Sequence, residues 1–225
     1  PNYLVKILGS WENPDKIDWH SLPNKFVLKT NNASGTNIII HDKSVINKKK
    51  VINQLNKYLK INYYKAGREW VYRDIPKMIL AEEFIAGPEG NIPEDYKVFC
   101  FDGKPKFIIV HMDRETNHKS AIFSCNWELQ PFRFTYPTFN GEIKRPANLE
   151  EMINLCTKLS YGIPFVRIDL YSLPELKIGE FTFFPQGMTG QFTPYEWNFK
   201  FGKLINIDKY KTFNNTSNNY PINNS

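Results

Sequence analysis

Cysteine is scarce in this 225-residue chain: Cys100, Cys125 and Cys156 are three in number, with no Cys-x-x-Cys pair among them. An odd, unpaired set argues against a disulfide scaffold or a structural zinc site and fits a reducing cytoplasm. No apolar run is long enough to span a bilayer, and no signal peptide is visible. No segment repeats. GxxxxGK[ST] is absent, which excludes a P-loop. No RNA-binding signature occurs either, so charge and aromatic content alone argue for nucleic acid, and that class is set aside. The four histidines, His20, His41, His111 and His118, are scattered along the chain and read as structural.

What is present is a globular composition. Hydrophobic residues make up 41% of the chain, enough for one compact domain or two small lobes. A formal net charge of +6 favours acidic partners such as nucleotides, phosphorylated metabolites or anionic glycans over cationic ones. The bland reading of that surplus is a solvated surface.

Strands alternate with a few helices. "KFVLKT" and "NIIIHD" flank the polar turn "NNASGT" and read as a hairpin with a long tip. "SVINKKKVINQLNKYLK" places Val51, Ile52, Leu55, Tyr58 and Leu59 at helical spacing, with lysines on the other face. "KMILAEEFIAG" reads as a strand closing at Gly87. "DYKVFCFDGKPKFIIVHMDR" is a hairpin across Asp102-Gly103. "NLEEMINLCTKLSYG" opens a helix with a capping box, Asn148 with Glu151, and ends it at Gly162. The asparagine-rich stretch 206–225 reads as a disordered tail or linker.

The chemistry lies in "VRIDLY" and "GEFTFF". Side chains alternate faces along a strand, so Val166, Ile168 and Leu170 share one side while Arg167, Asp169 and Tyr171 share the other. In the second segment Glu180, Thr182 and Phe184 oppose Phe181 and Phe183. If the strands pair through a turn at 172–177, Asp169 and Glu180 converge beside Arg167. Two carboxylates so held repel, and a hard cation with oxygen ligands, chiefly Mg²⁺, relieves the repulsion. On that argument, amide substitution of either acid stabilises the metal-free protein. The competing reading is a surface ion pair of Arg167 with Asp169 or Glu180. A phosphate cradle should accompany Mg²⁺, and "LKTNNASGTN" offers one: Lys29 ends a strand, and Ala33, Ser34 and Gly35 admit close backbone approach. The competing reading there is an ordinary hairpin tip.

The order of these parts resembles the ATP-grasp superfamily, and within it the TupA-like branch found with capsule and teichuronopeptide synthesis. "LPNKFVLKTNNASGTNIII", "EWVYRDIPKMILAEEFIAGPEG", "EDYKVFCFDGKPKFI", "VRIDLYSLPELKIGEFTFFPQG" and "PYEW" carry the resemblance, over roughly 3–202. It implies an α+β fold in which two lobes with mainly antiparallel sheets clasp ATP. The expected division is 1–25 as the remnant of, or linker from, a preceding lobe, 26–80 as the small lobe and 81–205 as the large lobe. The chain is then a piece or one domain of something longer.

Residue by residue, the resemblance implies that Lys29 contacts ATP phosphates and that Ser34, Gly35 and Thr36 belong to the loop closing over them. It assigns "AEEFI" to the adenine hinge, with the backbone of Glu83 and Ile85 flanking Phe84 and with Glu82 at the amino edge. Asp95 matches a ribose acid and Lys97 a phosphate-binding base. Arg114 falls where related ligases keep an arginine for the acyl phosphate. Asp169 and Glu180 match the magnesium carboxylates and Arg167 a phosphate arginine. Thr182 departs from the pattern, standing where many relatives have a metal-binding asparagine. The implied activity is ATP-dependent ligation of a carboxylate to an amine. Its expected substrates are a uronic-acid sugar or polysaccharide and an amino acid or small, possibly phosphorylated, amine. "FPQGMTG" is the expected substrate-facing loop. Fusion to or association with glycosyltransferase domains is expected too, and a non-catalytic nucleotide- or glycan-binding module attached to such an enzyme is the rival reading.

Overall fold

The computed structural model describes residues 3–87, 93–112 and 118–211 and divides the chain into two compact units. The architecture is α+β, with antiparallel pairing in every sheet.

The first unit takes residues Pro1–Pro93 and Gln186–Met188. Its sheet runs in the order β1 (Ile7–Trp11), β4 (Ile79–Glu83), β2 (Phe26–Thr30), β3 (Asn37–Ile40). The helices α1 (Lys48–Lys60) and α2 (Tyr63–Gly67) connect β3 to β4. Alternation along β2 buries Phe26 and Leu28, which join Ile79 and Ala81 of β4 and Val51 and Leu55 of α1 in one apolar core. Val27 and Lys29 of β2 and Leu80 and Glu82 of β4 take the other face. Within the stretch 1–25, β1 hydrogen-bonds to β4 and so contributes a strand to this sheet. For the same reason β4 belongs with the first unit, and the boundary falls after Pro93 rather than after residue 80.

The second unit takes Glu94–Pro185 and Thr189–Ser225. Its main sheet is built from β5 (Asp95–Phe101), β6 (Lys104–Met112), β7 (Lys119–Ser124), β9 (Val166–Tyr171) and β10 (Lys177–Thr182), in the order β10-β9-β5-β6-β7. A two-stranded sheet pairs β8 (Arg133–Phe134) with β11 (Phe192–Thr193). Helix α3 (Leu149–Leu159) packs on β5 and β6, while α4 (Glu196–Gly202) follows β11. Both central residues of the β5–β6 turn are left-handed, Asp102 at φ 48° and Gly103 at φ 77°, as an Asp-Gly hairpin requires. One face of the sheet buries Val98, Cys100, Ile108, Val110, Ile168 and Leu170. The other face is split. Toward β6 and β7 it is aromatic, with Phe99, Phe132, Phe134, Phe192 and Phe201 packed together. Toward β9 and β10 it is charged.

Two local expectations change. Asn148 precedes α3 but makes no side-chain cap bond; its amide donates to the Leu173 carbonyl at 3.1 Å and its oxygen accepts from Ser172 Oγ at 2.7 Å, so it ties the helix start to the β9–β10 turn. The stretch after residue 205 is not wholly a tail, since α5 (Asp208–Lys211) carries Lys209 and Tyr210 onto Asp102, at 2.7 and 2.5 Å. Residues 212–225 lie outside the described residues.

Candidate functional site

In the first unit, Lys29 Nζ meets Glu82 Oε1 at 2.6 Å, both side chains partly exposed. Register explains the meeting: Val27 stands opposite Glu82, and Lys29 is two residues further along the same face, a diagonal pair. Glu83 is committed to Lys6 through two bonds. Its backbone N–H donates to the Lys6 carbonyl at 3.0 Å, and its carboxylate accepts from Lys6 N at 2.9 Å. An adenine contact from Glu83 would therefore have to come from its carbonyl. Phe84 packs edge-on to His41, with ring centroids 5.4 Å apart.

The turn after β2 is held at its base. Asn31 accepts from Met78 N at 2.8 Å and donates to the Pro76 carbonyl at 2.9 Å. The Asn32 amide donates to the Tyr58 and Ile61 carbonyls at the end of α1, each at 3.1 Å. Asn32 Oδ1 is buried without a hydrogen-bond partner among the described residues. Thr36 is buried, and its hydroxyl accepts from Thr30 Oγ1 at 2.9 Å and points at the Thr30 and Ala33 carbonyls at 3.1 and 3.2 Å. Its side chain thus closes the turn from inside. Ser34 and Gly35 alone form an exposed tip, where Gly35 is left-handed at φ 72°. Tip backbone groups, rather than the Thr36 hydroxyl, are what this turn offers an anion.

In the second unit, Glu180 stands directly opposite Asp169 and Thr182 opposite Arg167. A bulge between Ile178 and Glu180 sets that register. Asp169 also stands opposite Lys97 on β5. The result is one bonded set across three strands. Arg167 grips Asp169 with two N–H groups, Nε to Oδ1 at 2.6 Å and Nη2 to Oδ2 at 2.8 Å. Lys97 joins Asp169 to Asp95, the latter at 2.7 Å. Arg167 Nη2 also donates to Thr182 Oγ1 at 2.9 Å, and the Thr182 hydroxyl donates to Glu180 Oε1 at 3.0 Å. Burial by itself would push the Arg167 guanidinium down, but the Asp169 charge and hydrogen bonds, with Glu180 and Asp95 behind them, outweigh it and hold the group above its ordinary value.

Asp169 is 4% exposed, so the reading of a surface ion pair does not describe it. Glu180 is exposed on the edge strand. Two carboxylates and a hydroxyl suit Mg²⁺, which takes one or two protein carboxylates and fills its shell with water and phosphate oxygens. No set of three or more His, Cys, Asp or Glu side chains among the described residues forms a closed metal site. Arg114 lies outside the described residues. Ile85 follows β4, and nothing further distinguishes it. In the expected substrate loop, Gln186, Gly187 and Met188 are all left-handed and group with the first unit. A Cβ on Gly187 would come within 2.5 Å of the Gly67 carbonyl, so that position demands glycine. One pairing has no local signal in the sequence: His111 and His118 meet on the second unit's sheet.

A family model described as TupA-like ATPgrasp matches residues 2–206. The chain belongs to the ATP-grasp class of proteins, and within it to the TupA-like family. No curated protein matches the sequence. Among solved structures it is similar to a D-alanine–D-alanine ligase from Bacillus anthracis, at 19% identity and a TM-score of 0.44, covering 80% of this chain and 50% of that one. It is also similar to the ATP-grasp ligase PsnB complexed with precursor peptide PsnA2 and AMPPNP, at 10% identity and a TM-score of 0.42, over 80% of this chain and 43% of that one. A third is N5-carboxyaminoimidazole synthase from Aspergillus clavatus in complex with ADP and 5-aminoimidazole ribonucleotide, at 9% identity and 0.43, over 80% and 39%. The chain spans half or less of the length of each. Likenesses this distant assign no residue its role.

Proposed function

We propose that the chain acts as an ATP-dependent carboxylate–amine ligase, forming an amide through an acyl phosphate. The observation that carries this reading is the facing pair Asp169 and Glu180, locked in register and held by Arg167 and Thr182. Asp169 and Glu180 would hold Mg²⁺, with the Thr182 hydroxyl beside them; the ion, when bound, neutralises charge on the phosphate oxygens. Lys29 and the Ser34–Gly35 tip bind phosphate, and Glu82 with the residues up to Ile85 binds adenine. Asp95 orients the ribose. Arg167 and Lys97 stabilise charge on the transferring phosphoryl group.

The chemistry asks for position and charge rather than a protein nucleophile. A substrate carboxylate oxygen attacks the γ-phosphorus, the bond to the bridging oxygen breaks, and ADP leaves with the electron pair. An amine nitrogen then attacks the acyl carbon, and phosphate departs. Family membership and the basic balance of the chain support a uronic-acid carboxylate of a cell-surface polysaccharide or its precursor, joined to an amino acid or small amine in the cytoplasm. Association with glycosyltransferase domains belongs to the same reading. Among the described residues no helix is long and apolar enough to cross a membrane.

The test is product analysis on the purified chain with ATP, Mg²⁺, a uronate and an amine. ADP and phosphate released only when all four are present is the expected result. AMP and pyrophosphate would remove the acyl-phosphate chemistry, and tight ATP binding without turnover would favour a binding module.

A further inference from the structure

His118 Nε2 and His111 Nδ1 lie 2.8 Å apart, a hydrogen bond in which one ring nitrogen donates and the other accepts. Tyr136 lies over His118, with ring centroids 3.7 Å apart and planes at 27°, and edge-on to His111 at 5.4 Å. Ser120 stands opposite His111 on β7. Its Oγ is buried and has no hydrogen-bond partner among the described residues. Both imidazoles are half-buried.

Register fixes the face they occupy. Ile109 of β6 stands opposite Lys97 of β5 and Ile122 of β7. His111, two residues beyond Ile109, and Ser120, two before Ile122, therefore share the face that carries Lys97 and Asp169. Tyr96 pairs with Val110, so Asp95 and His111 come next on their two strands, side by side. One row thus reads Tyr171, Asp95, His111, Ser120, beside another that reads Glu180, Asp169, Lys97. His111 sits about 10 Å across the sheet and about 7 Å along it from Asp169.

We propose that the His111–His118 pair is the proton acceptor for the attacking amine, an inference that rests on the ligase reading above. An ammonium ion has no lone pair and must lose a proton before it attacks. A neutral imidazole pair can take that proton and share it between two rings. The balance is simple. One proton passes from the ammonium nitrogen to a ring nitrogen, and the freed pair forms the C–N bond. The C–O bond to phosphate breaks, and phosphate leaves with those electrons and the second N–H proton. The pair then returns its proton to water. Among the described residues, the titratable groups on this face beside the pair are Asp95 from β5, with Lys97 bonded to it, Tyr171 from β9 and the stacked Tyr136.

The test separates the two half-reactions in the full chain with Mg²⁺ and ATP at pH 7. D-glucuronate and D-galacturonate serve as carboxylates, and glycine or hydroxylamine as the amine. Hydroxylamine is largely unprotonated there and traps an acyl phosphate without help. In His111→Gln and His118→Gln, amide formation with glycine should fall by about 100-fold while hydroxamate stays within about twofold of wild type. The amide defect should shrink as pH rises and glycine loses its own proton. Equal amide formation in wild type and both variants would overturn the assignment. So would parallel loss of amide and hydroxamate, which marks a structural role. No hydroxamate from wild type with either uronate is a different failure, because it overturns the ligase reading itself.

Discussion

Asp169 accepts from Arg167 through both carboxylate oxygens, at 2.6 and 2.8 Å, while Lys97 reaches one of the same oxygens from the neighbouring strand. The acid is therefore not a bare charge awaiting a metal ion. Asp169→Asn would leave two cations of the buried set short of their counter-charge, at a cost of about 3–5 kcal/mol. Glu180, exposed on the edge strand and bonded to Thr182, should cost only about 0–1 kcal/mol as Gln. This reverses the stabilisation that carboxylate repulsion alone suggests for Asp169. Urea unfolding of both variants checks it, and equal small effects would contradict the unequal burial argued here. ADP release should fall by orders of magnitude in both.

Lys29 separates binding from folding. Its partner Glu82 and its own side chain are partly exposed, so Lys29→Met should change stability by less than about 1 kcal/mol. Calorimetric titration should nonetheless show ATP affinity reduced by about tenfold or more, since a charge-assisted phosphate contact is lost. Unchanged affinity would return this turn to being a plain hairpin tip.

The base and the tip of that turn should respond differently. Thr36→Val keeps shape but removes the hydroxyl that bonds Thr30 and approaches two carbonyls, costing about 1–2 kcal/mol. At Gly35 a new Cβ meets nothing within 4 Å, so Gly35→Ala should cost only the strain of its left-handed backbone, about 1–2 kcal/mol. Thermal unfolding measures both. A far larger loss for Gly35→Ala would mean that the tip is packed rather than open.

The contact of α5 with Asp102 should depend on pH. Hydrogen bonds from Lys209 and then Tyr210 hold the Asp102 carboxyl below its ordinary range. A depressed carboxylate contributes above its unfolded-state value and is lost as pH falls through its folded value. Lys209 and Tyr210 are both raised, chiefly by their bonds to Asp102, so they contribute below their ordinary values and are lost at strongly alkaline pH. Amide exchange in 208–211, corrected for intrinsic rates, should quicken on acidification, and Asp102→Asn should show the fast exchange already at neutral pH. Exchange equally slow in the variant would contradict the latch.

Alternation made the charged face legible from sequence. Two hydrophobic strands carrying Arg167, Asp169 and Glu180 gather those charges on one face if their apolar faces match, while the register that puts Glu180 opposite Asp169 depends on the bulge between Ile178 and Glu180. The Asp102-Gly103 turn was legible for a similar reason, since few residues tolerate two left-handed positions in a row. Long-range pairing was not. Nothing local in "YLVKILGSW" says that β1 lies beside β4, and that pairing moves the unit boundary. Asn148 carried a helix-start signal, but Ser172 and Leu173 claimed its side chain. Lys97 reads from sequence as a phosphate contact, yet its bond to Asp169 depends on β5 meeting β9. The histidine pair eluded sequence because a hairpin brings together rings seven residues apart, a spacing that signals nothing by itself.

The central claim is that a substrate carboxylate is activated by phosphorylation, and isotope transfer tests it most directly. A uronate labelled with ¹⁸O in its carboxylate, incubated with the chain, Mg²⁺, ATP and an amine, should give amide and inorganic phosphate, and mass spectrometry of that phosphate should find one ¹⁸O from the carboxylate. Unlabelled phosphate, or label carried into AMP, would contradict the account.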